Sequence, residues 1–221
     1  CALVVRLLLP PSRQFRPQPR SSGQFTRMAA GALADRGLVA LYVLGAVSVG
    51  TLVAMLNALG FRLHAEPFGL SLGAISLIYL VYALGTGSSI VSGRLADRLD
   101  RRQVIPAGIV MALAGVLLTL SSWLPVIVLG MALVTMGFFC LHGLASSWVT
   151  VRAHALGAST SQAASFYLFT YYVGSSVFGN LGATAWTHAG WGGVVGLGSG
   201  LLLVGALMIA ILRGTRRPTV T

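Results

Sequence analysis

The chain has 221 residues, of which 56% are hydrophobic and only 9% are charged, and its mean hydropathy is +0.84. Because soluble domains carry roughly 25% charged residues, this composition excludes a water-facing globular protein. All 15 basic residues are arginine, and the net charge is +11. These arginines stand between apolar stretches instead of on one face, which is typical of a membrane protein and not of a nucleic-acid-binding protein.

The first nine residues are apolar except for Arg6 and run directly into Pro10-Pro11. They lack the charged start, the longer apolar core and the small-residue cleavage site of a signal peptide. We therefore expect residues 1–9 to be the truncated end of a preceding transmembrane helix, with more of the protein upstream. Residues 10–37 are a predicted cytoplasmic linker, which begins with a solvated stretch rich in Pro, Arg, Ser and Gln.

Six apolar segments follow, each close to the roughly 20 residues that cross a bilayer. Their interiors contain no Asp, Glu, Lys or Arg. We therefore predict an all-α membrane protein with a six-transmembrane-helix bundle over residues 38–212 and a cytoplasmic tail over residues 213–221. The predicted segments are Leu38–Phe61, Leu70–Ser92, Val104–Leu120, Pro125–Trp148, Gln162–Ala185 and Gly193–Leu212.

Arginine placement predicts the orientation. Arg62 is the one arginine between the first and second segments, and the other arginines lie in the linker, after the second and fourth segments, or in the tail, with Arg6 assigned to the linker side. The positive-inside rule therefore places the linker and the C-terminus in the cytoplasm. A composition rich in Ala, Gly and Arg but without Lys indicates a bacterial gene, so we expect a multi-pass protein of the bacterial inner membrane.

Four of the six predicted helices carry polar side chains spaced three and four residues apart, which places each set on one helix face. In the first helix this face holds Ser48 and Thr51. The third and sixth helices have one polar side chain each, Thr119 and Ser199. Because polar faces avoid lipid, we expect the third and sixth helices on the outside and the other four around a cavity. Helix packing by Ser and Gly is the alternative explanation for individual residues.

A charged motif stands between the second and third helices. It reads Gly93-Arg94-Leu95-Ala96-Asp97-Arg98-Leu99-Asp100-Arg101-Arg102. This resembles the loop motif of the major facilitator superfamily, usually G-x-x-x-D-R-x-G-R-R/K, which follows the second helix of each half in that family. The matching residues are Gly93, Asp97, Arg98, Arg101 and Arg102. Asp100 departs from the family pattern, because it stands where the family usually has the Gly of a tight turn.

The resemblance implies the C-terminal half of a twelve-helix facilitator of the bacterial small-molecule efflux type. Such a protein works by alternating access, in which two bundles rock about a central site near the membrane midplane. The implied activity is secondary, proton-coupled efflux by antiport. The expected partners are the lipid bilayer, a small organic substrate and a missing N-terminal half of six helices.

The predicted cavity wall combines aromatic rings with a few hydrogen-bonding groups, which suits a partly apolar organic molecule. His142 is the one ionisable group apart from cysteine that we place deep in a span. It is a candidate to carry a coupling proton, or a neutral histidine bonded inside the bundle. The candidate cavity residues are Tyr79, Tyr82, His142, Tyr172 and Asn180.

The motif also suggests a conformational gate. Ser159-Thr160-Ser161-Gln162 is typical of a capping box that opens the fifth helix, and a helix N-terminus attracts anions. We expect Asp97 to dock near that terminus and to stabilise the state that is closed towards the cytoplasm. The alternative is that Asp97 and the arginines only fix the topology.

Two other classes of protein with six spans bear on the sequence. An intramembrane serine protease is not expected, because Gly157-Ala158-Ser159-Thr160 lacks the final Gly of its motif and His188 falls at the opposite membrane face. A self-standing six-helix carrier or structural subunit stays open as an alternative. Cys1 and Cys140 are far apart and show no metal-binding spacing, so no metal, no cofactor and no enzymatic activity are expected.

Overall fold

The computed structural model describes residues 30–31 and 33–215, and within these ranges the regular structure is helical throughout, with no strand. The predicted helix end at residues 1–9 and most of the linker lie outside the described residues, as does the tail after Thr215. The helices are α1 (Arg36–His64), α2 (Leu72–Ile78), a 3-10 segment (Tyr79–Ala83), α3 (Leu84–Leu99), α4 (Arg101–Leu118), α5 (Leu124–Ala155) and α6 (Thr160–Gly214).

Five helical stretches of the described part are long and apolar enough to cross a membrane. The second of these is the continuous stretch Leu72–Leu99, here called the second span, which contains α2, the 3-10 segment and α3. The fifth is α6, whose 55 residues are too long for one crossing. At Gly190 the backbone has φ 60° and ψ −154°, a conformation that glycine adopts without a Cβ clash.

The contacts of α6 with α1 show that the chain reverses at Gly190. Along residues 160–189, the first arm, later residues contact later residues of α1, so the first arm is parallel to α1. Along residues 191–214, the second arm, later residues contact earlier residues of α1, so the second arm is antiparallel to α1. The two arms are therefore separate crossings, and the six-helix bundle that was predicted from hydropathy is confirmed. The close approaches are Gly174–Ala46 and Gly182–Ala54 for the first arm, and Gly198–Thr51 and Gly205–Leu44 for the second.

The most buried of the spans is α1, and the second span is the least buried. This corrects the expectation that the polar face of the first helix lines a cavity. Ser48 and Thr51 are buried, and their hydroxyls donate to the carbonyls of Gly45 and Val47 within α1. The physical reason is that neighbouring helices surround α1. Its small polar side chains therefore take part in helix packing, which is the other common use of Ser and Thr in membrane helices.

The charged motif between the second and third helices is not an extended loop. Helix α3 continues to Leu99 and α4 begins at Arg101, so that Asp100 alone joins them. Asp100 has φ 79°, in the region where glycine is favoured, and its Oδ1 accepts the Arg102 N–H at 3.1 Å. The tight turn of the family pattern is therefore made here by an aspartate.

The fourth predicted segment ended at Trp148, but α5 continues to Ala155 and includes Arg152. A hydropathy criterion ends a predicted segment near its first charged residue. The helix itself can continue, because arginine is a good helix former and is favoured near a helix C-terminus. Both corrections move arginines from loops onto helix ends. The end of the bundle that carries these arginines is called the basic end, and the opposite one the far end.

Arg62 ties three helix ends together at the far end. It donates to the backbone carbonyls of Thr119 and, at 2.7 Å, of Ser121, which follow α4. Its guanidinium lies 4.6 Å from the ring centroid of Trp191, and the Trp191 indole N–H donates to Thr119 Oγ1 at 3.1 Å. The otherwise unsatisfied carbonyls at the end of α4 thus receive donors from α1.

Gly174 and Gly196 provide a matched test of close helix packing. A side chain at Gly174 would meet the Ala46 backbone, whereas Gly196 has nothing within 4 Å. Gly174→Val should therefore destabilise the bundle by about 1–3 kcal/mol or more, and Gly196→Val should leave it unchanged. The measurement is the thermal unfolding midpoint in detergent. Equal midpoints for the two variants would contradict the packing described for α1 and the first arm.

Asp100 provides a test of the strained turn. Asp100→Gly should keep the stability within a few tenths of a kcal/mol, because glycine tolerates both the positive φ and the N-cap position. Asp100→Ala loses the cap and keeps the strain, and should be less stable by about 1–3 kcal/mol. Thermal unfolding of the three proteins checks the order, and an alanine variant as stable as the glycine variant would refute it.

Candidate functional site

An unbroken series of aromatic rings crosses the second span, α5 and the first arm of α6. Consecutive ring centroids in this series are 4.9–5.7 Å apart, the range in which aromatic pairs attract each other. We call this series the aromatic chain. Its members are Tyr82, Phe138, Phe139, His142, Tyr167, Tyr171 and Tyr172.

The 3-10 segment and a glycine bring the second span close to α5. A side chain at Gly85 would collide with the Phe139 ring, so the absence of one lets Phe139 lie against the helix backbone. Tyr82 then meets Phe139 edge to face at 5.1 Å. The second-span end of the aromatic chain therefore depends on a glycine one turn after the tyrosine.

His142 is held in place by two neighbours. Its Nδ1 lies 3.0 Å from the Tyr167 hydroxyl oxygen, and its ring stacks on Phe138 with an interplanar angle of 15°. Tyr167 is itself 2% exposed. Its ring fits against α1 because Gly45 has no side chain, and a Cβ at that position would lie 2.6 Å from the ring. The histidine thus has a fixed orientation that α1 supports through Tyr167.

Three of the five predicted cavity residues, Tyr82, His142 and Tyr172, lie in the aromatic chain. Tyr82 and Tyr172 are 46% and 66% exposed, in contrast to buried Tyr167. The other two candidates are separate. Tyr79 donates its hydroxyl to the Leu56 carbonyl at 2.9 Å, and exposed Asn180 lies on the first arm two turns beyond Tyr172.

Four members of the aromatic chain were missed as site candidates: Phe138, Phe139, Tyr167 and Tyr171. The polar side chains of the predicted fifth helix, spaced three and four residues apart, include Tyr172 and lie on the neighbouring face. Tyr167 and Tyr171 are four residues apart and share a face of their own. That spacing is the signal that could have found them, together with the position of His142 on the preceding helix.

The residues of the charged motif lie at the basic end of the bundle. Arg102 donates to the carbonyls of Arg213 and Thr215 at 3.3 and 3.2 Å and lies over the Trp148 ring. It therefore joins the start of α4 to the end of α6. Asp97 and Arg98 are exposed, Gly93 and Arg101 are partly exposed, and Asp97 makes no hydrogen bond or ion pair to the residues that the structure describes.

The predicted cap of the fifth helix is half formed. Ser159 Oγ accepts the Gln162 N–H at 3.4 Å, so Ser159 is the N-cap of α6. In a capping box the Gln162 side chain would also accept the Ser159 N–H. This second bond is not formed, since Gln162 Oε1 is buried without a partner in the described part of the chain. The docking of Asp97 at this terminus stays a prediction.

A buried ion pair at the basic end was not predicted. Arg152 Nε and Nη2 donate to Asp35 Oδ1 and Oδ2 at 2.6 and 3.0 Å, and Arg152 is 4% exposed. Asp35 Oδ1 also accepts the Leu38 N–H at 2.8 Å and caps α1, and the absence of a side chain at Gly37 leaves room for the guanidinium. The pair was missed because Asp35 was assigned to the linker and Arg152 to a loop.

The environment of Asp35 favours its charged form. Burial by itself would raise the pKa of this carboxyl, but the hydrogen bonds from Arg152 and Leu38 and the positive charge of Arg152 outweigh it and hold the pKa below its usual value. A bidentate arginine–carboxylate pair is both strong and directional. It locks the start of α1 to the end of α5, and Arg152 also reaches Thr215 Oγ1 at 3.3 Å.

Sequence comparison places this bundle in a known class. Residues 1–179 match the sequence model of the Major Facilitator Superfamily. The chain is 39% identical to the uncharacterized MFS-type transporter YybF of Bacillus subtilis, over 92% of this chain and 50% of that protein. It is also 39% identical to the inner membrane transport protein YnfM of Escherichia coli, over 97% of this chain and 50% of that protein.

A third relative, an uncharacterized transporter of Buchnera aphidicola, is 31% identical over 92% of this chain and 48% of its own length. The chain thus spans about half the length of the curated relatives it matches. No solved structure matches it. The chain belongs to the Major Facilitator Superfamily, which confirms the predicted family, and the three relatives are named as transporters or transport proteins.

The Asp35–Arg152 pair can be measured with a double-mutant cycle of Asp35→Asn and Arg152→Gln. Each single variant should lose about 3 kcal/mol of stability, because it leaves one buried partner alone, and the double variant should lose clearly less than the sum. Arg94→Gln, which removes an exposed arginine, should change stability by less than about 1 kcal/mol. Additive losses would show that the two side chains do not interact.

The same pair predicts a pH dependence. Since the folded pKa of Asp35 is lowered, its contribution is complete above the unfolded value of about 3.9 and is lost as the pH falls through the folded pKa. The stability difference between the wild type and Asp35→Asn should be constant from pH 7 to pH 5 and shrink below pH 4. Unfolding curves across this range measure it, and a difference that changes between pH 5 and 7 would contradict the assignment.

Proposed function

We propose that this chain forms the C-terminal half of an alternating-access transporter that exports a small, partly apolar organic molecule from a bacterial cell in exchange for protons. The observation that carries the proposal is the aromatic chain, which combines exposed rings with one fixed histidine in a bundle of this family. Binding sites for organic molecules are mostly apolar and aromatic, with few polar groups.

The proposed substrate surface is formed by Tyr82 and Tyr172, whose rings are exposed while their neighbours are packed. Each ring offers an apolar face and a hydroxyl, so a flat or partly apolar molecule can stack and also hydrogen-bond. Tyr79 and Asn180 lie on the same two spans, further towards the far end. They complete the proposed wall on the side away from the basic end.

His142 is the proposed carrier of the coupling proton. A neutral histidine accepts through one ring nitrogen, and a charged histidine donates through both. Because a tyrosine hydroxyl can donate as well as accept, Tyr167 can remain the partner of His142 Nδ1 in either protonation state. This arrangement supports a histidine that changes its charge without losing its orientation.

The basic end is the proposed cytoplasmic side, because it carries the arginines that remain inside during insertion. There, Gly93, Asp97, Arg98, Arg101 and Arg102 form the proposed gate. Asp97 is exposed, and the N-terminus of α6, capped by Ser159, lies at the same end of the bundle. Docking of the Asp97 carboxylate on this positive helix end would favour the state that is closed towards the cytoplasm.

Transport can be tested by joining this chain to the part of YybF that it does not match, since a second bundle is part of the proposal. Tyr82→Ala and Tyr172→Ala should each lower the transport efficiency kcat/KM about fivefold or more, because each removes a stacking surface worth about 1 kcal/mol or more. Phe61→Ala is the control, since Phe61 is 57% exposed but lies outside the aromatic chain. Export of a panel of labelled organic compounds from cells measures the effect.

Equal activity of all three alanine variants would refute the proposed substrate surface. Export by the 221-residue chain alone would refute the need for a second bundle and would favour a self-standing six-helix carrier.

The gate is tested by Asp97→Asn in the same fusion, with cysteine accessibility at the basic and far ends as the readout. Charged caps of this kind are worth about 1–3 kcal/mol, so the variant should shift the balance between inward-open and outward-open states about tenfold or more towards the inward-open state. An unchanged balance would show that Asp97 acts only in topology.

A further inference from the structure

An apolar groove of about 410 Å³ runs between α3, α4 and α5 and shares no lining residue with the aromatic chain. Its main walls are Leu84, Val91 and Leu95 on α3, Val104 and Met111 on α4, and Met136 on α5. The α3 residues are 40–63% exposed. Two serines also line it, but Ser88 donates to the Met136 carbonyl and Ser92 to the Ser88 carbonyl, both at 2.7 Å. The groove therefore favours an apolar occupant.

The length of the groove and the charge at its end decide which apolar occupant fits. From Leu84 to Leu95 the helix rises about 16 Å, which is about half of the roughly 30 Å hydrocarbon core, or one leaflet. A single acyl chain matches this length, and arginines stand at the basic end of the groove, which favours an anionic lipid over an uncharged helix of a partner or of a second copy.

Arginine stands at the basic end of both main walls. On α3, Leu84, Ser88, Val91 and Leu95 follow each other at spacings of four, three and four, and the next residue on that face is Arg98. On α4, Arg101 lies one turn before Val104, also on the same face. Neither arginine forms a hydrogen bond or an ion pair within the described residues, whereas the adjacent Arg102 is bonded to the end of α6.

We infer that this groove binds one anionic phospholipid, with an acyl chain between α3 and α4 and the phosphate on Arg98 and Arg101. Guanidinium groups bind phosphate in a bidentate manner, and basic sites at helix ends attract anionic headgroups. The site does not depend on the proposed transport activity. It connects the charged motif to lipid composition, because Asp97 lies next to Arg98 on the same helix turn.

Native mass spectrometry of the full 221-residue chain in detergent tests the inference. Titration with phosphatidylglycerol should show one site at least tenfold tighter than titration with phosphatidylcholine of the same acyl chains. Gly87 lines the groove and has nothing within 4 Å of its Cβ position, so Gly87→Leu fills the groove without a clash and should weaken phosphatidylglycerol binding at least tenfold. Gly196→Leu, in equally open space on α6, should leave it unchanged.

The headgroup site has its own pair of variants. Arg98→Gln with Arg101→Gln should weaken phosphatidylglycerol binding about 25-fold and remove most of the preference over phosphatidylcholine. Arg94→Gln, on the same helix but off the groove face, should change it less than threefold. Phosphatidylglycerol with a photoreactive acyl chain, cross-linked to the wild-type chain, should label peptides of α3 and α4 that line the groove.

Three results would overturn the inference: equal binding of the two lipids, unchanged binding in Gly87→Leu, or cross-links confined to other helices. A dimer of the wild type that Gly87→Leu abolishes would show instead that the groove is a contact between copies. If Gly87→Leu loses helical circular dichroism, the arginine variants and the wild-type cross-links decide the question alone.

Discussion

The structure depends on the close approach of α1 to both arms of α6. A membrane removes the hydrophobic drive between helices, so association rests on backbone packing and small residues. Gly174 and Gly182 bring the first arm onto Ala46 and Ala54, and the reversal at Gly190 brings the second arm back along the same helix. With α1 surrounded in this way, Gly45 leaves room for Tyr167, and Tyr167 in turn fixes His142 on α5. The geometry of the candidate site is therefore a consequence of glycine packing between α1 and α6.

Within the described residues, the arginine, aspartate and glutamate side chains lie at the two ends of the bundle, and at each end arginines join helix termini. At the far end, Arg62 supplies donors to the carbonyls that follow α4. At the basic end, Arg152 pairs with Asp35, and Arg102 bonds to the end of α6. These contacts join helix termini that hydrophobic packing alone would leave free to slide. Arg98 is exposed and Arg101 is partly exposed, so both are available to bind groups outside the bundle.

Hydropathy located all six crossings in the sequence, because a span must be apolar over about 20 residues whatever its neighbours are. Helix ends were less predictable. The segments were ended at their first charge, whereas α3 and α5 continue through Arg94 and Arg152. The Asp35–Arg152 pair joins residues 117 positions apart, and no local pattern indicates such a contact.

The candidate site was predictable only where its residues share a pattern within one helix. Tyr82, His142 and Tyr172 could be found from helical spacing, since each lies on a polar stripe of its own helix. That Tyr167 is the partner of His142 depends on how α5 and α6 face each other, and this relation is set by tertiary packing against α1. The burial of Ser48 and Thr51, whose hydroxyls bond to carbonyls of α1 itself, was also missed. The pattern of a single helix does not show which of its faces other helices cover.

The central claim is that His142, held by Tyr167 within the aromatic chain, exchanges a proton as substrate crosses the membrane. The most direct measurement is substrate-driven proton movement in proteoliposomes that contain this chain joined to a second bundle, followed with a pH-sensitive dye. The account predicts that a substrate gradient moves protons in the wild type, and that His142→Gln still binds substrate but moves no protons. Proton movement of equal size in the His142→Gln protein would contradict the account.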